Sequence, residues 1–226
     1  LRDIAITRAW RKRPGGRIET LTGVDSRYAA SFAGLARPQR RLRVVLACGN
    51  GTAGHFAPAI LAAADIDVMP LDCELDSAFP NCDPNPEDIR MLSRLGAAVR
   101  DADADCGLAM DGDGDRCGFT DEHGHPVSAD RLGLLLARDM ASRHPRSHFV
   151  VDVKSTGLFA SDPHLAAHGA TVEYWKTGHS YMRARMLETG AIAAFEKSGH
   201  FYFNRPEGLG YDDAIASALA VCRLLG

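Results

Sequence analysis

The sequence predicts an α/β protein built from two consecutive α/β domains with mixed sheets. From Val24 onward, short apolar runs alternate with segments of helical periodicity, which is the pattern expected of strands and helices in an α/β fold. This pattern restarts near residues 128–130, so we expect one domain over 24–128 and a second over 129–226. Residues 1–23 differ from the rest and are interpreted as a linker or the tail of a preceding unit.

Four strands and two helices are expected in the first half. The strands are predicted at 42–48, 67–71, 106–110 and 117–120. The helices are predicted at 56–64 and 86–102. Pro86 stands near the start of the second helix, and apolar residues follow it at helical spacing.

The second half repeats the alternation. Strands are predicted at 149–153, 171–175 and 192–195. Helices are predicted at 129–142, 158–168, 181–188 and 213–225. The first of these helices carries leucines and a methionine at the spacing of a buried helix face.

Five polar, glycine-containing loops follow predicted strands directly. They lie at 49–51, 111–115, 154–157, 176–179 and 196–200. Ligands of open α/β sheets bind at the carboxyl ends of the strands. The five loops therefore indicate a shared site.

Composition excludes several classes of protein. The 26 Lys and Arg against 29 Asp and Glu give a net charge of −3, so no nucleic-acid partner is expected. A content of 46% hydrophobic and 24% charged residues is that of a globular protein. The first residues contain no apolar core region and the chain contains no run of about 18 apolar residues, so neither a signal peptide nor membrane association is expected. The six cysteines form no C-x-x-C pair, which favours reduced, mostly buried thiols and a cytoplasmic location.

The N-terminal segment is basic and begins with Leu1 rather than Met. The first residue suggests a chain cut from something longer. The basic residues surround Pro14-Gly15-Gly16 and are Arg8, Arg11, Lys12, Arg13 and Arg17. A solvated linker and a phosphate or nucleic-acid patch both agree with this pattern, and the linker is the preferred interpretation.

The motif Asp111-Gly112-Asp113-Gly114-Asp115-Arg116 is the strongest chemical signal. Three alternating carboxylates repel one another unless a cation compensates them, and hard oxygen ligands favour Mg²⁺, Ca²⁺ or Mn²⁺. An EF-hand is disfavoured because Arg116 stands where the loop needs glycine. A metal-free β-turn remains an alternative. Arg116 itself suits phosphate recognition or simply balances the carboxylates.

The segment Gly49-Asn50-Gly51-Thr52-Ala53-Gly54 matches G-x-G-x-x-G between a strand and a helix, and Asp72 ends the next strand. This pattern suits a dinucleotide-binding domain. It also suits a tight turn with close helix–strand packing, so an oxidoreductase stays open as an alternative at this point.

Loops of the second half carry groups suited to a sugar phosphate. Glu196 and Ser198 offer acceptors for neighbouring hydroxyls, and His200 can act as an acid or base near neutral pH. His179 and Lys154 supply cationic donors for a phosphate. The chain has no G-x-S-x-G nucleophile motif, so it offers phosphate and sugar handling without an evident nucleophile.

Three of these segments together resemble the α-D-phosphohexomutases, with bacterial phosphomannomutase/phosphoglucomutase as the most similar branch. They are residues 111–116, 175–180 and 196–200. The resemblance runs from Val24 to the C terminus and implies the fold of the family's second and third domains. It also implies that the 49–54 segment is structural. In this family, four domains surround a cleft, and a Mg²⁺-assisted phosphoserine of the first domain exchanges a phosphoryl group with a hexose phosphate through a bisphosphate.

The resemblance implies roles for individual residues. Asp111, Asp113 and Asp115 would hold Mg²⁺ in a metal-binding domain, 24–128. The sugar-binding domain, 129–226, would contact substrate through Glu196, Lys197, Ser198 and Lys176. The groups expected to assist the chemistry are Arg116, His200, His179 and Lys154.

Two departures from the family pattern limit the expected activity. The T-A-S-H-N-P-like phosphoserine stretch and the phosphate loop of the fourth domain are absent from the sequence. Lys197 stands where many relatives have Met, which leaves the preference among mannose, glucose and glucosamine phosphates open. We therefore expect the central part of a mutase, inactive alone and dependent on flanking domains. A non-catalytic sugar-phosphate and metal-binding remnant is the alternative.

Overall fold

The computed structural model describes residues 1–35 and 37–226, which form two compact units, Leu1–Ser31 and Phe32–Gly226. The first unit contains helices α1 (Arg2–Thr7) and α2 (Val24–Ser31), neither of which has a buried residue. Part of the segment interpreted as a linker is therefore helical. No helix within the described ranges has the length and apolarity that crossing a bilayer requires.

Five strands form the first sheet of the larger unit. They are β1 (Arg43–Ala47), β2 (Asp67–Leu71), β3 (Cys106–Met110), β4 (Cys117–Thr120) and β5 (Pro126–Val127). Their order is β2-β1-β3-β4-β5, with β1 parallel to both β2 and β3 and the last two strands antiparallel. The mixed sheet agrees with the prediction. The strand β5 was not predicted because two residues are too few to show a period.

Helices α3 (Ala57–Ala63) and α4 (Ile89–Asp101) accompany this sheet. The helix α4 begins three residues later than its predicted start at Pro86, because the carboxylate of Asp88 caps it by accepting the backbone N–H of Arg90 at 2.8 Å. Its apolar face packs with β1 and β3 in one buried cluster. Every residue of β3 is buried, as expected of a central strand covered on both faces.

Four strands form the second sheet. They are β6 (His148–Asp152), β7 (Thr171–Trp175), β8 (Ala193–Phe195) and β9 (Phe201–Phe203). Their order is β7-β6-β8-β9, with β9 antiparallel to β8 and the other pairs parallel. The predicted strands were β6, β7 and β8. The strand β9, which was not predicted, follows the 196–200 loop and pairs with β8. Its three residues are too few to show a local pattern.

Five helices belong to this half. They are α5 (Ala129–Arg143), α6 (Leu158–Ser161), α7 (Pro163–Ala167), α8 (His179–Thr189) and α9 (Ala214–Leu225). The single helix predicted at 158–168 is wrong, because the chain is extended at Asp162, the residue before a proline. The Asp162 carboxylate caps the second piece through the N–H groups of His164 and Leu165.

Backbone contacts join the two halves where the loop that follows β3 meets the 196–200 loop and the start of α9. The N–H of Cys117 donates to the carbonyl of Gly199 at 3.1 Å, and the N–H of Ala214 donates to the carbonyl of Gly114 at 3.0 Å. Arg116 and His200 form an isolated antiparallel bridge beside the first of these hydrogen bonds. The fold therefore fixes the carboxylate-rich loop directly against the 196–200 loop.

Candidate active site

The Asp loop, residues 111–116, is organised around the Asp111 carboxylate, which is 1% exposed. Its Oδ1 accepts the backbone N–H groups of Gly114, Asp115 and Arg116 at 3.1, 3.0 and 3.0 Å. Its Oδ2 accepts the Nε–H of Arg116 at 2.6 Å. Asp111 therefore shapes the loop, and its Oδ2 accepts fewer hydrogen bonds than its Oδ1.

The electrostatics of the loop favour a bound cation. Burial alone would raise the pKa of Asp111, but the hydrogen bonds and charge of Arg116 lower it. Burial raises the pKa of Asp115 to about 6, with His200 opposing the rise and the charges of Asp111 and Asp113 adding to it. The pKa values of these two neighbouring carboxylates are thus shifted in opposite directions, that of Asp111 by Arg116 and that of Asp115 mainly by burial.

The three carboxylates fit a divalent cation with hard oxygen ligands. One oxygen from each of Asp111, Asp113 and Asp115 lies within 4.8 Å of the other two. Asp113 is exposed and makes no hydrogen bond with the residues that the structure describes, so its oxygens are available. The donor set agrees with the oxygen coordination of Mg²⁺.

Arg116 is positioned before any ligand arrives. Its side chain is 25% exposed, its Nε–H is bound to Asp111, and its Nη1 donates to the Asn85 side chain at 3.2 Å. A guanidinium has five N–H donors, so donors remain for an oxyanion. Asn85 was not identified from the sequence, because the loop preceding α4 carries no recognisable pattern.

The 49–54 segment packs against the Asp loop. The N–H of Thr52 donates to the carbonyl of Gly112 at 2.9 Å. A Cβ on Gly51 would lie 2.8 Å from both the Cα and the carbonyl oxygen of Gly112. Protein backbone therefore occupies the close approach that a dinucleotide would need at this glycine. This contact favours a structural turn.

Glu196 and Ser198 have partners within their own half. Glu196 is 2% exposed and accepts the hydroxyl of Tyr202 at 2.8 Å. The hydroxyl of Ser198 lies 2.8 Å from Nδ1 of His200. Burial, followed by the nearby charge of Glu196, raises the pKa of Tyr202. The tyrosine therefore stays protonated and donates to the carboxylate.

Asp152 ties three of the polar loops together, although the sequence analysis did not single it out. Its carboxylate accepts the hydroxyls of Ser155 at 2.5 Å and Thr177 at 2.9 Å, and the N–H of Lys197 at 3.2 Å. These groups follow β6, β7 and β8 respectively. An aspartate ending a buried strand is the signal that could have identified it.

The two histidines of the prediction meet at the junction of the halves. Nδ1 of His179 lies 2.6 Å from Oδ2 of Asp212, and Nε2 of His200 lies 3.4 Å from Oδ1 of Asp115. Their ring centroids are 6.1 Å apart. Asp212 was not assigned a role from the sequence.

The three predicted lysines, Lys154, Lys176 and Lys197, are all exposed. The ammonium group of Lys176 lies 3.7 Å from the centroid of the Tyr181 ring. Within the described chain, none of the three forms a salt bridge with the Asp loop. Their roles as substrate contacts stay predictions.

A cavity of about 280 Å³ opens beside the 196–200 loop. Lys197 and Ser198 line it together with Glu87, Cys117 and Gly118. Both halves contribute residues to it, and most of its lining is apolar.

Comparison with known proteins identifies the family. The family profile of phosphoglucomutase/phosphomannomutase α/β/α domain II matches residues 26–124, and that of α/β/α domain III matches residues 128–226. The chain belongs to the phosphoglucomutase/phosphomannomutase family. The predicted resemblance and the predicted fold class are thereby confirmed.

Members of the phosphoglucomutase/phosphomannomutase family are similar over nearly the whole chain. A phosphomannomutase/phosphoglucomutase of Pseudomonas putida is 40% identical over 210 residues, covering 93% of this chain and 44% of the relative. A phosphoglucosamine mutase of Chlamydia muridarum is 34% identical, covering 92% and 44%. The crystal structure of a family protein from Burkholderia thailandensis matches with a TM-score of 0.84 at 33% identity, covering 89% and 43%. The chain therefore spans less than half the length of these relatives.

Proposed function

We propose that this chain is the central part of a Mg²⁺-dependent phosphohexomutase. The enzyme would interconvert hexose 1-phosphate and hexose 6-phosphate, with mannose and/or glucose as the sugar, through a hexose bisphosphate. The observation that carries the proposal is the hydrogen bond from Cys117 to Gly199, which holds the Asp loop against the 196–200 loop. That contact supports the proposal because it brings Asp115 and Arg116 next to Ser198 and His200.

Asp111, Asp113 and Asp115 are the proposed Mg²⁺ ligands. When bound, the cation would supply charge stabilisation for phosphoryl transfer. The raised pKa of Asp115 supports the assignment, because burial and neighbouring carboxylates disfavour its charge until a cation compensates it. Arg116 is proposed to bind oxygens of the transferring phosphoryl group with the guanidinium donors that Asp111 and Asn85 leave free.

The substrate is proposed to lie along the second half. Glu196, Lys197, Ser198 and Lys176 would bind the sugar phosphate. His179 is proposed to serve as a donor or proton carrier, because Asp212 accepts from its Nδ1 side and its ring is about half exposed. His200 and Lys154 complete the proposed set of residues that assist the chemistry.

We propose that flanking domains supply the phosphoserine and the second phosphate site. This agrees with the share of the relatives that the chain covers, 44% for the Pseudomonas putida protein. The 226 residues alone should bind a hexose bisphosphate without completing a mutase cycle. The cytoplasmic location stays a prediction.

Calorimetry with glucose 1,6-bisphosphate tests the proposal. We expect binding that strengthens with Mg²⁺, and we expect Asp113→Asn to remove the Mg²⁺ effect while His164→Gln, a variant of a residue in α7, retains it. If Mg²⁺ does not change the affinity of the unmodified chain for the bisphosphate, the metal assignment is contradicted.

A chimera tests turnover. In this protein, the 226 residues replace the matching segment of the Pseudomonas putida relative. We expect mutase activity that Asp113→Asn abolishes. A folded chimera that binds the bisphosphate without turnover would instead support the non-catalytic remnant.

A further inference from the structure

A second group of metal-ligating side chains adjoins the Asp loop. It consists of Asp115, His179, His200 and Asp212, which we call the His–Asp cluster. One ligand atom from each residue lies within 4.8 Å of the others. Two imidazoles and two carboxylates form a donor set different from the all-oxygen set of the Asp loop.

We propose that the His–Asp cluster binds a transition-metal ion of the Zn²⁺ class, and that this ion competes with Mg²⁺ for Asp115. Imidazole nitrogen suits Zn²⁺, Co²⁺ and Ni²⁺, whereas Mg²⁺ is held by oxygen ligands. The two sites would therefore select different ions although they share one carboxylate.

The distances are close to those of a tetrahedral site. Metal–ligand bonds of about 2.0–2.1 Å place neighbouring ligand atoms roughly 3.3 Å apart. Nε2 of His200 and Oδ1 of Asp115 lie 3.4 Å apart, whereas Nδ1 of His179 and Oδ2 of Asp212 share a hydrogen bond at 2.6 Å, so this pair must lose its proton and separate to hold one ion. The two pairs face one another with ring centroids 6.1 Å apart. With all four ligand atoms within 4.8 Å of one another, the cluster is wider than a closed tetrahedral site, and we expect side-chain rotation to close it.

Surrounding contacts hold two of the four residues in place, His200 through its ring and Asp212 through its backbone. Nδ1 of His200 lies 2.8 Å from the hydroxyl of Ser198, which leaves Nε2 directed at Asp115. The backbone of Asp212 forms an isolated bridge with Tyr202. A partner on the far nitrogen of a histidine is the usual way in which proteins orient this ligand.

Because the Asp loop and the His–Asp cluster share Asp115, an ion bound in one should affect binding in the other. An ion in the His–Asp cluster draws the Asp115 carboxylate towards His200, so the Asp loop loses one of its three oxygen ligands. A cation next to the loop also repels Mg²⁺. Zn²⁺ should therefore weaken Mg²⁺ binding although the two ions occupy different sites. This statement concerns ion binding alone and holds whether or not the chain belongs to an active mutase.

Co²⁺ absorption tests where the ion binds, because four-coordinate Co²⁺ with nitrogen ligands absorbs visible light strongly. We expect this absorption in the unmodified chain and its displacement by Zn²⁺. His179→Gln and Asp212→Asn should weaken Co²⁺ binding by at least about tenfold, since even outer partners of a metal ligand have effects of this size. Asp113→Asn and the control His164→Gln should retain the signal.

Three outcomes overturn the proposal: absence of the Co²⁺ signal, its persistence in both His179→Gln and Asp212→Asn, or its loss in Asp113→Asn. The last outcome would assign the ion to the Asp loop. The Asp212→Asn amide retains an oxygen that can accept from His179, so this variant should fold, and circular dichroism checks that it does. In a second measurement, Zn²⁺ should weaken Mg²⁺ binding in the unmodified chain but not in His179→Gln.

Discussion

The backbone N–H of Cys117 donates to the carbonyl of Gly199 at 3.1 Å, and this hydrogen bond joins the strand leaving the Asp loop to the turn that follows β8. Gly199 has a φ of +96°, and a Cβ built there would lie 3.0 Å from the Cys117 carbonyl oxygen. The close approach of the two loops thus depends on a residue without a side chain.

Gly199→Ala should destabilise the chain by about 1–3 kcal/mol, because alanine disfavours this backbone conformation and its methyl group crowds Cys117. Urea denaturation measures the loss. Gly157→Ala is the matched control, since nothing lies within 4 Å of its added Cβ and its φ is −64°. Equal stability of the two variants would show that the contact between the loops does not require glycine.

Asp111→Asn should destabilise the Mg²⁺-free chain by about 2 kcal/mol, since the uncharged amide loses much of the interaction with Arg116 and the loop N–H groups. Asp113→Asn should leave the free energy of unfolding nearly unchanged, because Asp113 is exposed. Both should weaken Mg²⁺ binding. Denaturation without Mg²⁺, compared with Mg²⁺ calorimetry, separates the two effects. If Asp111→Asn proves as mild as Asp113→Asn, Asp111 does not organise the loop.

Gly51→Ala should weaken Mg²⁺ binding, although Gly51 is no metal ligand. Its Cβ would lie 2.8 Å from the Gly112 Cα and displace the Asp loop. A several-fold loss by calorimetry is expected, with Gly157→Ala again as the control. NADH fluorescence should show no saturable binding to the unmodified chain. Tight NADH binding would restore the dinucleotide hypothesis for the 49–54 segment.

Glu207 should contribute a stability that disappears in acid. Burial opposes its ionisation, but hydrogen bonds and charges of Arg143, Arg223 and His144 lower its pKa from 4.5 to about 2. The native state therefore binds fewer protons than the unfolded state between these values. The contribution is complete above pH 4.5 and is lost as the pH falls through about 2. At about 1.36 kcal/mol per pKa unit, it amounts to about 3 kcal/mol.

Glu207→Gln tests this relationship. The variant should be less stable than the unmodified chain at pH 6, and the difference should shrink at pH 3. Urea denaturation at the two pH values measures it. Glu188→Gln serves as the control, because this glutamate is 68% exposed and, among residues 1–35 and 37–226, forms an ion pair with Arg185 alone. A difference for Glu207→Gln that is the same at both pH values would show that its ion pairs do not lower the pKa.

Local sequence was sufficient to predict the bounds of strands that depend mainly on their own residues. The strands Asp67–Leu71, Cys106–Met110, Cys117–Thr120 and Thr171–Trp175 have the bounds that were predicted. Each is a short run that a charged residue follows directly. The one-helix prediction at 158–168 was wrong because Pro163 restricts Asp162 to an extended backbone, which divides the helix.

The residues of the candidate site likewise fall into those that the sequence could identify and those that it could not. Asp111, Asp113 and Asp115 could be singled out because three alternating carboxylates need compensation. Asp152, Asp212 and Asn85 could not, because a single polar residue on a loop has no pattern of its own. Their roles depend on partners that are distant in the sequence.

The amino-acid sequence by itself determined the α/β class, most strands, the family resemblance and the loops that carry the candidate ligands, since periodicity and motif spacing are local properties. Only the tertiary structure decided that Cys117 meets Gly199, that Asp115 faces His200, and that Asp212 orients His179. These contacts form when two separately patterned halves pack together. Their geometry is set by the docking of backbones, which no single segment encodes.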